Sequence, residues 1–181
     1  MDDPVQYRRF PLKASGSAIT RASPEVVWTV IDRFGSDNGY FALDALWILR
    51  ERIVGVLGGP GMERGRTHPT ELRAGDRLDS WDVLVAEPGA CLALRFNMKA
   101  TGSGVLEFLI TPVADAVRLE VAAYWKPYGL AGVLYWRAME PAHLVLFRQM
   151  STKICRLAEN DVRIEKIRTR SQTHSGARPV R

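Results

Sequence analysis

The apolar positions of this chain change period twice. Ser23-Pro24 offers an N-cap hydroxyl followed by a proline in the first helical turn, where a missing N–H costs nothing. Val27, Val30, Ile31 and Phe34 then recur at i, i+3, i+4 and i+7, which predicts a helix that ends at the breaker run GSDNG. Leu43, Leu46, Trp47, Ile53, Val54 and Leu57 predict a second helix, with Asp44, Glu51 and Arg52 on its wet side. A short strand is expected ahead of both, from Ser17 to Arg21. The period then drops to two. Trp81, Val83 and Val85 share one face, as do Leu92, Leu94, Phe96 and Met98, then Leu106, Phe108 and Ile110, and finally Leu119, Val121, Ala123 and Trp125. From Gly129 to Glu159 the helical period returns for the longest apolar-periodic run in the chain.

This order predicts an α+β fold: a strand, two short helices, an antiparallel meander and one long C-terminal helix packed across a curved sheet. The links between the successive strands are too short for parallel crossovers. Arg95, Lys99, Glu107, Arg118 and Glu120 alternate with the apolar set, so they are expected on the convex, solvated side as cross-strand charges.

The long helix carries one stripe through Val133, Trp136, Glu140, His143, Phe147, Met150, Ile154 and Leu157. Its ends are apolar and its middle is polar. A buried, unpaired carboxylate or imidazole costs several kcal/mol or changes protonation, so Glu140 and His143 need a partner. A mutual contact, a pairing of Glu140 with Arg137, or a cavity between helix and sheet holding water or ligand each supplies one. Pro141 removes a backbone hydrogen bond in the same region. If the cavity exists, Trp81, Phe96, Met98, Phe108, Trp125, Trp136, Phe147 and Met150 are its candidate walls. Asp79 shares strand parity with Trp81 and joins Glu140 and His143 as a candidate acid/base set, while a structural trio of core histidine and turn-capping aspartate explains the same residues.

Composition narrows the rest. With 181 residues, 46% hydrophobic and 25% charged, the chain is the size and kind of one globular domain that needs neither disulfide nor metal to fold. Cys91 and Cys155 stand in no CxxC or Cys/His spacing and read as reduced packing residues, so no metal site is expected. The N-terminal run MDDPVQYRRFPLKASGS has charges without an apolar stretch behind them, so a cytoplasmic protein with no transmembrane segment is expected. Of the net charge of +5, four units fall between Asp161 and Arg181. The body is therefore not a basic protein, and nucleic acid is not expected as its partner. The glycine-rich run IVGVLGGPGMERGRT fits neither a Walker A loop nor a dinucleotide fingerprint; Arg64 and Arg66 are its only anion donors.

Taken together, LWILR (Leu46 to Arg50), GGPGMERGR (Gly58 to Arg66), GDRLDSWDV (Gly75 to Val83), NMKATG (Asn97 to Gly102), LEF (Leu106 to Phe108) and GLAGVLYWRAMEPAH (Gly129 to His143) resemble the START-like, or SRPBCC, helix-grip superfamily. Within it they resemble the domain of unknown function often found behind an NAD(P)-binding epimerase-like domain. The chain departs from that branch at GSDNGYF and at the residue before the glycine of MKATG, and it carries no strand–GxGxxG–helix unit. The resemblance covers roughly Ala22 to Glu159 and implies a helix-grip domain over residues 17–160, after an N-terminal arm over 1–16. The basic run over 161–181, without apolar periodicity and rich in Ser, Thr, Gly and Pro, is expected to be an unstructured tail. The resemblance implies a hydrophobic or aromatic small-molecule ligand, no cofactor within this chain, and a separate NAD(P)-binding epimerase-like protein as a candidate partner. Two other functions stay open: a cyclase- or dehydratase-like enzyme using Asp79, Glu140 and His143, and an interaction module working through the basic tail.

Overall fold

A computed structural model describes residues 5–33, 72–78, 81–98 and 101–175, except for the side chains of residues 97, 98 and 169–175. The second expected helix, the glycine-rich run and Asp79 lie outside the described residues, as does the side chain of Met98.

The strands are β1 (Leu12–Thr20), β2 (Arg77–Leu78), β3 (Trp81–Glu87), β4 (Cys91–Met98), β5 (Gly102–Val113) and β6 (Ala116–Pro127); the helices are α1 (Pro24–Asp32) and α2 (Gly129–Ser175). All strand pairs are antiparallel, in the order β1-β6-β5-β4-β3-β2. The result is an α+β helix-grip fold, a curved sheet with α2 laid across one face. Strand β1 starts at Leu12, five residues ahead of the expected Ser17, and pairs with β6 from Leu12↔Trp125 to Thr20↔Val117. Ser15, Gly16 and Ser17 hide its beginning, because small polar residues leave no apolar alternation to read.

Each face of the sheet carries its own core. Under α2 lie Trp81, Val83, Leu92, Leu94, Leu106, Phe108, Leu119, Val121 and Trp125. Strict alternation assigns Val85 to the same group, but the register shifts between Val83 and Val85, and Val85 packs on the opposite side with Cys91, Ala93, Val105, Ala122 and Tyr124. A β-bulge does this by inserting one residue into the two-residue period.

Glu107 departs furthest from expectation. It lies on the side opposite α2, as its parity requires, yet it is 2% exposed. A 3-10 turn at Gln6–Arg9 folds the N-terminal arm over it. Tyr7 donates to Oε1 at 2.5 Å, Arg8 Nε at 2.7 Å, and Tyr124 donates to Oε2 at 3.2 Å. A buried carboxylate is tolerable only with donors of this number and kind. Arg95 with Asp82 at 3.1 Å and Lys13 with Glu120 at 2.8 Å behave as the expected surface pairs.

Gly16 explains how closely α2 grips the sheet. A Cβ there would overlap the helix backbone at Phe147 and Arg148, so only glycine lets β1 and α2 approach this far. Ser23 caps α1 by accepting from Val26 N–H, and α1 is tied to α2 by the Arg33–Asp161 ion pair at 3.2 Å. Helix α2 does not stop at Glu159 but runs on to Ser175, through much of the segment expected to be unstructured. At 1.5 Å per residue its 47 residues span about 70 Å, well beyond the width of the sheet. Ile164 and Ile167 stand at i, i+3 there, and Arg168 stands 3.9 Å from Glu165. Among the described residues, no helix is long and apolar enough to cross a membrane.

Candidate functional site

Between α2 and the sheet lies a cavity of about 80 Å³. Sheet residues Trp81 and Phe96 wall it on one side, and helix residues Trp136, His143, Phe147 and Met150 on the other. Period-two strands and a period-3.6 helix bring these residues together from positions almost seventy apart in sequence.

The aromatic walls form a continuous series. Trp81 meets Phe96 edge-on at 4.9 Å, and Phe96 stacks on Trp125 at 5.8 Å. Trp125 stacks in turn on Trp136 at 6.2 Å, Trp136 tilts against His143 at 5.0 Å, and His143 stacks on Phe147 at 5.4 Å. These centroid distances are in the range where offset and edge-to-face pairs are favourable. Gly104 makes the sheet side possible, because a Cβ there would strike the rings of Phe96 and Trp125. Trp125 Nε1 donates to the Gly132 carbonyl at 3.2 Å and so ties β6 to the first turn of α2.

Of the expected wall residues, Trp81, Phe96, Trp125, Trp136, Phe147 and Met150 line the cavity. Phe108 does not; it is fully buried in the core beside it. Tyr135, Met139, Ala142 and Leu146 line it as well and were not anticipated. They flank the stripe through Trp136 and His143, and the usual width of a buried helical face, about 100° or more, was the signal that includes them.

The acid/base set is not assembled as expected. Glu140 accepts from Arg137 Nη1 at 2.9 Å and is absent from the cavity wall. The arginine one turn back satisfies its charge on the outer side of the helix, which corrects its assignment to the cavity interior. His143 does line the cavity, between Trp136 and Phe147. Among the described lining residues, His143 is the one that carries an imidazole.

Neither cysteine belongs to this wall. Burial first, then the neighbouring Glu107 for Cys91 and Glu159 for Cys155, pushes both thiols up to about 11, which suits packing residues. Among the described residues, no group of His, Cys, Asp and Glu is placed to hold a metal ion.

Known proteins of similar architecture can be set beside this geometry. A protein from Nitrosospira multiformis superposes with a TM-score of 0.50 at 13% identity, covering 84% of this chain and 99% of that one. TTHA0849 from Thermus thermophilus gives 0.48 at 9% identity, over 83% of this chain and 99% of that one. DynU16, a protein of the dynemicin biosynthetic locus, gives 0.45 at 17% identity, over 81% of this chain and 47% of that one. At such identities the likeness concerns the fold alone. No curated protein matches the chain. Residues 12–150 match the family model described as "Protein of unknown function (DUF2867)". The match spans β1 to the middle of α2 and includes every described wall of the cavity, so the chain belongs to the DUF2867 family.

Proposed function

We propose that this protein binds a small apolar or aromatic molecule in the cavity between its sheet and α2. The observation that carries the reading is the wall itself, a run of stacked aromatic rings closed by Met139 and Met150 around about 80 Å³. The space is well below the ~300–1,000 Å³ of typical drug-sized sites, which limits the ligand to about one ring unless the unbranched methionines give way.

The cyclase- or dehydratase-like alternative now rests mainly on His143. Glu140 is engaged by Arg137, and Asp79 lies outside the described residues. Binding is the reading that the apolar, aromatic lining supports. A separate NAD(P)-binding epimerase-like protein remains the proposed partner on the strength of the family resemblance; co-elution of the two purified proteins in size-exclusion chromatography tests it.

Tryptophan emission tests the binding reading, since Trp81, Trp125 and Trp136 all stand in the wall. Titration with toluene is expected to give a saturable change in emission. An unsaturable change, equal to that of free tryptophan in the same solvent, would overturn the reading.

A further inference from the structure

Trp136 is 1% exposed, and among the described residues its Nε1 has no hydrogen-bond partner. Its stacked neighbour Trp125 meets the same requirement by donating to the Gly132 carbonyl. An indole N–H can only donate, and leaving one buried without an acceptor costs about 1–3 kcal/mol. Phenylalanine at the same position would present a comparable wall with no such cost. The residue lines the cavity while Nε1 itself is covered, so an acceptor held in that space meets this donor once the occupant shifts the side chains over it.

The rest of the wall says what kind of acceptor this is. Among the described lining residues there is no Lys, Arg, Asp or Glu. With His143 as the one described lining residue that can carry a positive charge, and no Lys or Arg beside it, a carboxylate or phosphate would enter at a heavy burial cost. A neutral oxygen on an otherwise apolar molecule meets the N–H without that penalty. The aromatic series and the small volume favour a single flat ring as the remainder.

We propose that the ligand is a single-ring aromatic molecule bearing a neutral carbonyl-type oxygen, and that this oxygen accepts the hydrogen bond of Trp136 Nε1. The proposal rests on the reading of the cavity as a ligand site and adds the chemistry that selects the ligand. Trp136 is then a specificity-determining residue.

Two probes of nearly equal shape separate the two claims: acetophenone, and α-methylstyrene, in which a methylene replaces the carbonyl oxygen. In the wild-type protein, the indole proton resonance of Trp136, assigned through its contacts with His143, is expected to move downfield with acetophenone and not with α-methylstyrene. Trp136→Phe is expected to weaken acetophenone by roughly threefold to tenfold, the equivalent of one ordinary hydrogen bond, and to change α-methylstyrene by less than about twofold. If both probes bind and neither the resonance nor the variant distinguishes them, the hydrogen bond is refuted while the cavity remains a ligand site. If neither probe binds the wild type, the ligand reading fails and this inference fails with it. Should Trp136→Phe not fold, the wild-type resonance alone decides.

Discussion

Tyr7 donates a 2.5 Å hydrogen bond to Glu107, a hundred residues away, and so fastens the N-terminal arm to the middle of β5. The carboxylate is buried on the side of the sheet opposite α2, and Arg8 and Tyr124 complete its shell. Removing it strands two phenols and a guanidinium. Glu107→Ala is expected to cost about 3 kcal/mol, because breaking a buried pair leaves uncompensated polar groups. Arg8 is half-exposed and can turn to water, which keeps the loss at the lower end of that class. Urea unfolding measures the loss, and faster proteolysis at Arg8 and Arg9 would report the released arm.

The same cluster sets the response to alkali. Burial, then the hydrogen bond to Glu107, raises the Tyr7 phenol well above its ordinary 10.0; burial and Glu107 together lift the Cys91 thiol from 9.0 to about 11. Both groups stay neutral in the fold at pH values where the unfolded chain ionises. The stability this gives is fully present below pH 9.0 and is lost as pH rises through about 11. Urea midpoints are therefore expected to fall over that window. Cys91→Ala should flatten the fall, and a midpoint that rises with pH would contradict the assignment.

Close approach at Gly16 makes a third prediction. A side chain there meets the backbone of α2 at Phe147 and Arg148 rather than a movable side-chain end. Gly16→Val is expected to destabilise the protein by more than about 2 kcal/mol, through overpacking that the helix can relieve only by lifting off β1. Thermal unfolding followed by circular dichroism measures it.

Most of the core under α2 was legible in the sequence, because period two in the strands and period 3.6 in the helix both point Trp81, Phe96, Trp125, Trp136 and Phe147 to one place. What stayed hidden depended on single local events or on distant partners. One bulge between Val83 and Val85 reverses a face that strict alternation predicts. Glu107 has the parity of a solvated charge and becomes a buried one only because the arm folds over it. Glu140 shares the stripe with His143, and the sequence left its partner open between that histidine, a cavity and Arg137; the structure shows the Arg137 pairing. The continuation of α2 beyond Glu159 was obscured by its charge-rich composition, in which only Val162, Ile164 and Ile167 are large apolar residues and they form no helical stripe.

Filling the cavity should exchange binding for stability. Ala142 lies in the wall on α2 and is half-buried, so Ala142→Leu can place its added atoms in the space. The variant is expected to gain about 1 kcal/mol in urea unfolding, the usual yield of a cavity-filling change. It should also weaken toluene binding by at least about tenfold, the equivalent of ~1.4 kcal/mol.

Diffraction from crystals soaked in iodobenzene tests the central claim most directly, since the anomalous signal of iodine locates the probe without ambiguity. The account predicts one internal site, in contact with Phe96, Trp136 and Met150 between the sheet and α2. Iodine found only on the outer surface, with those side chains packed against one another, would contradict it.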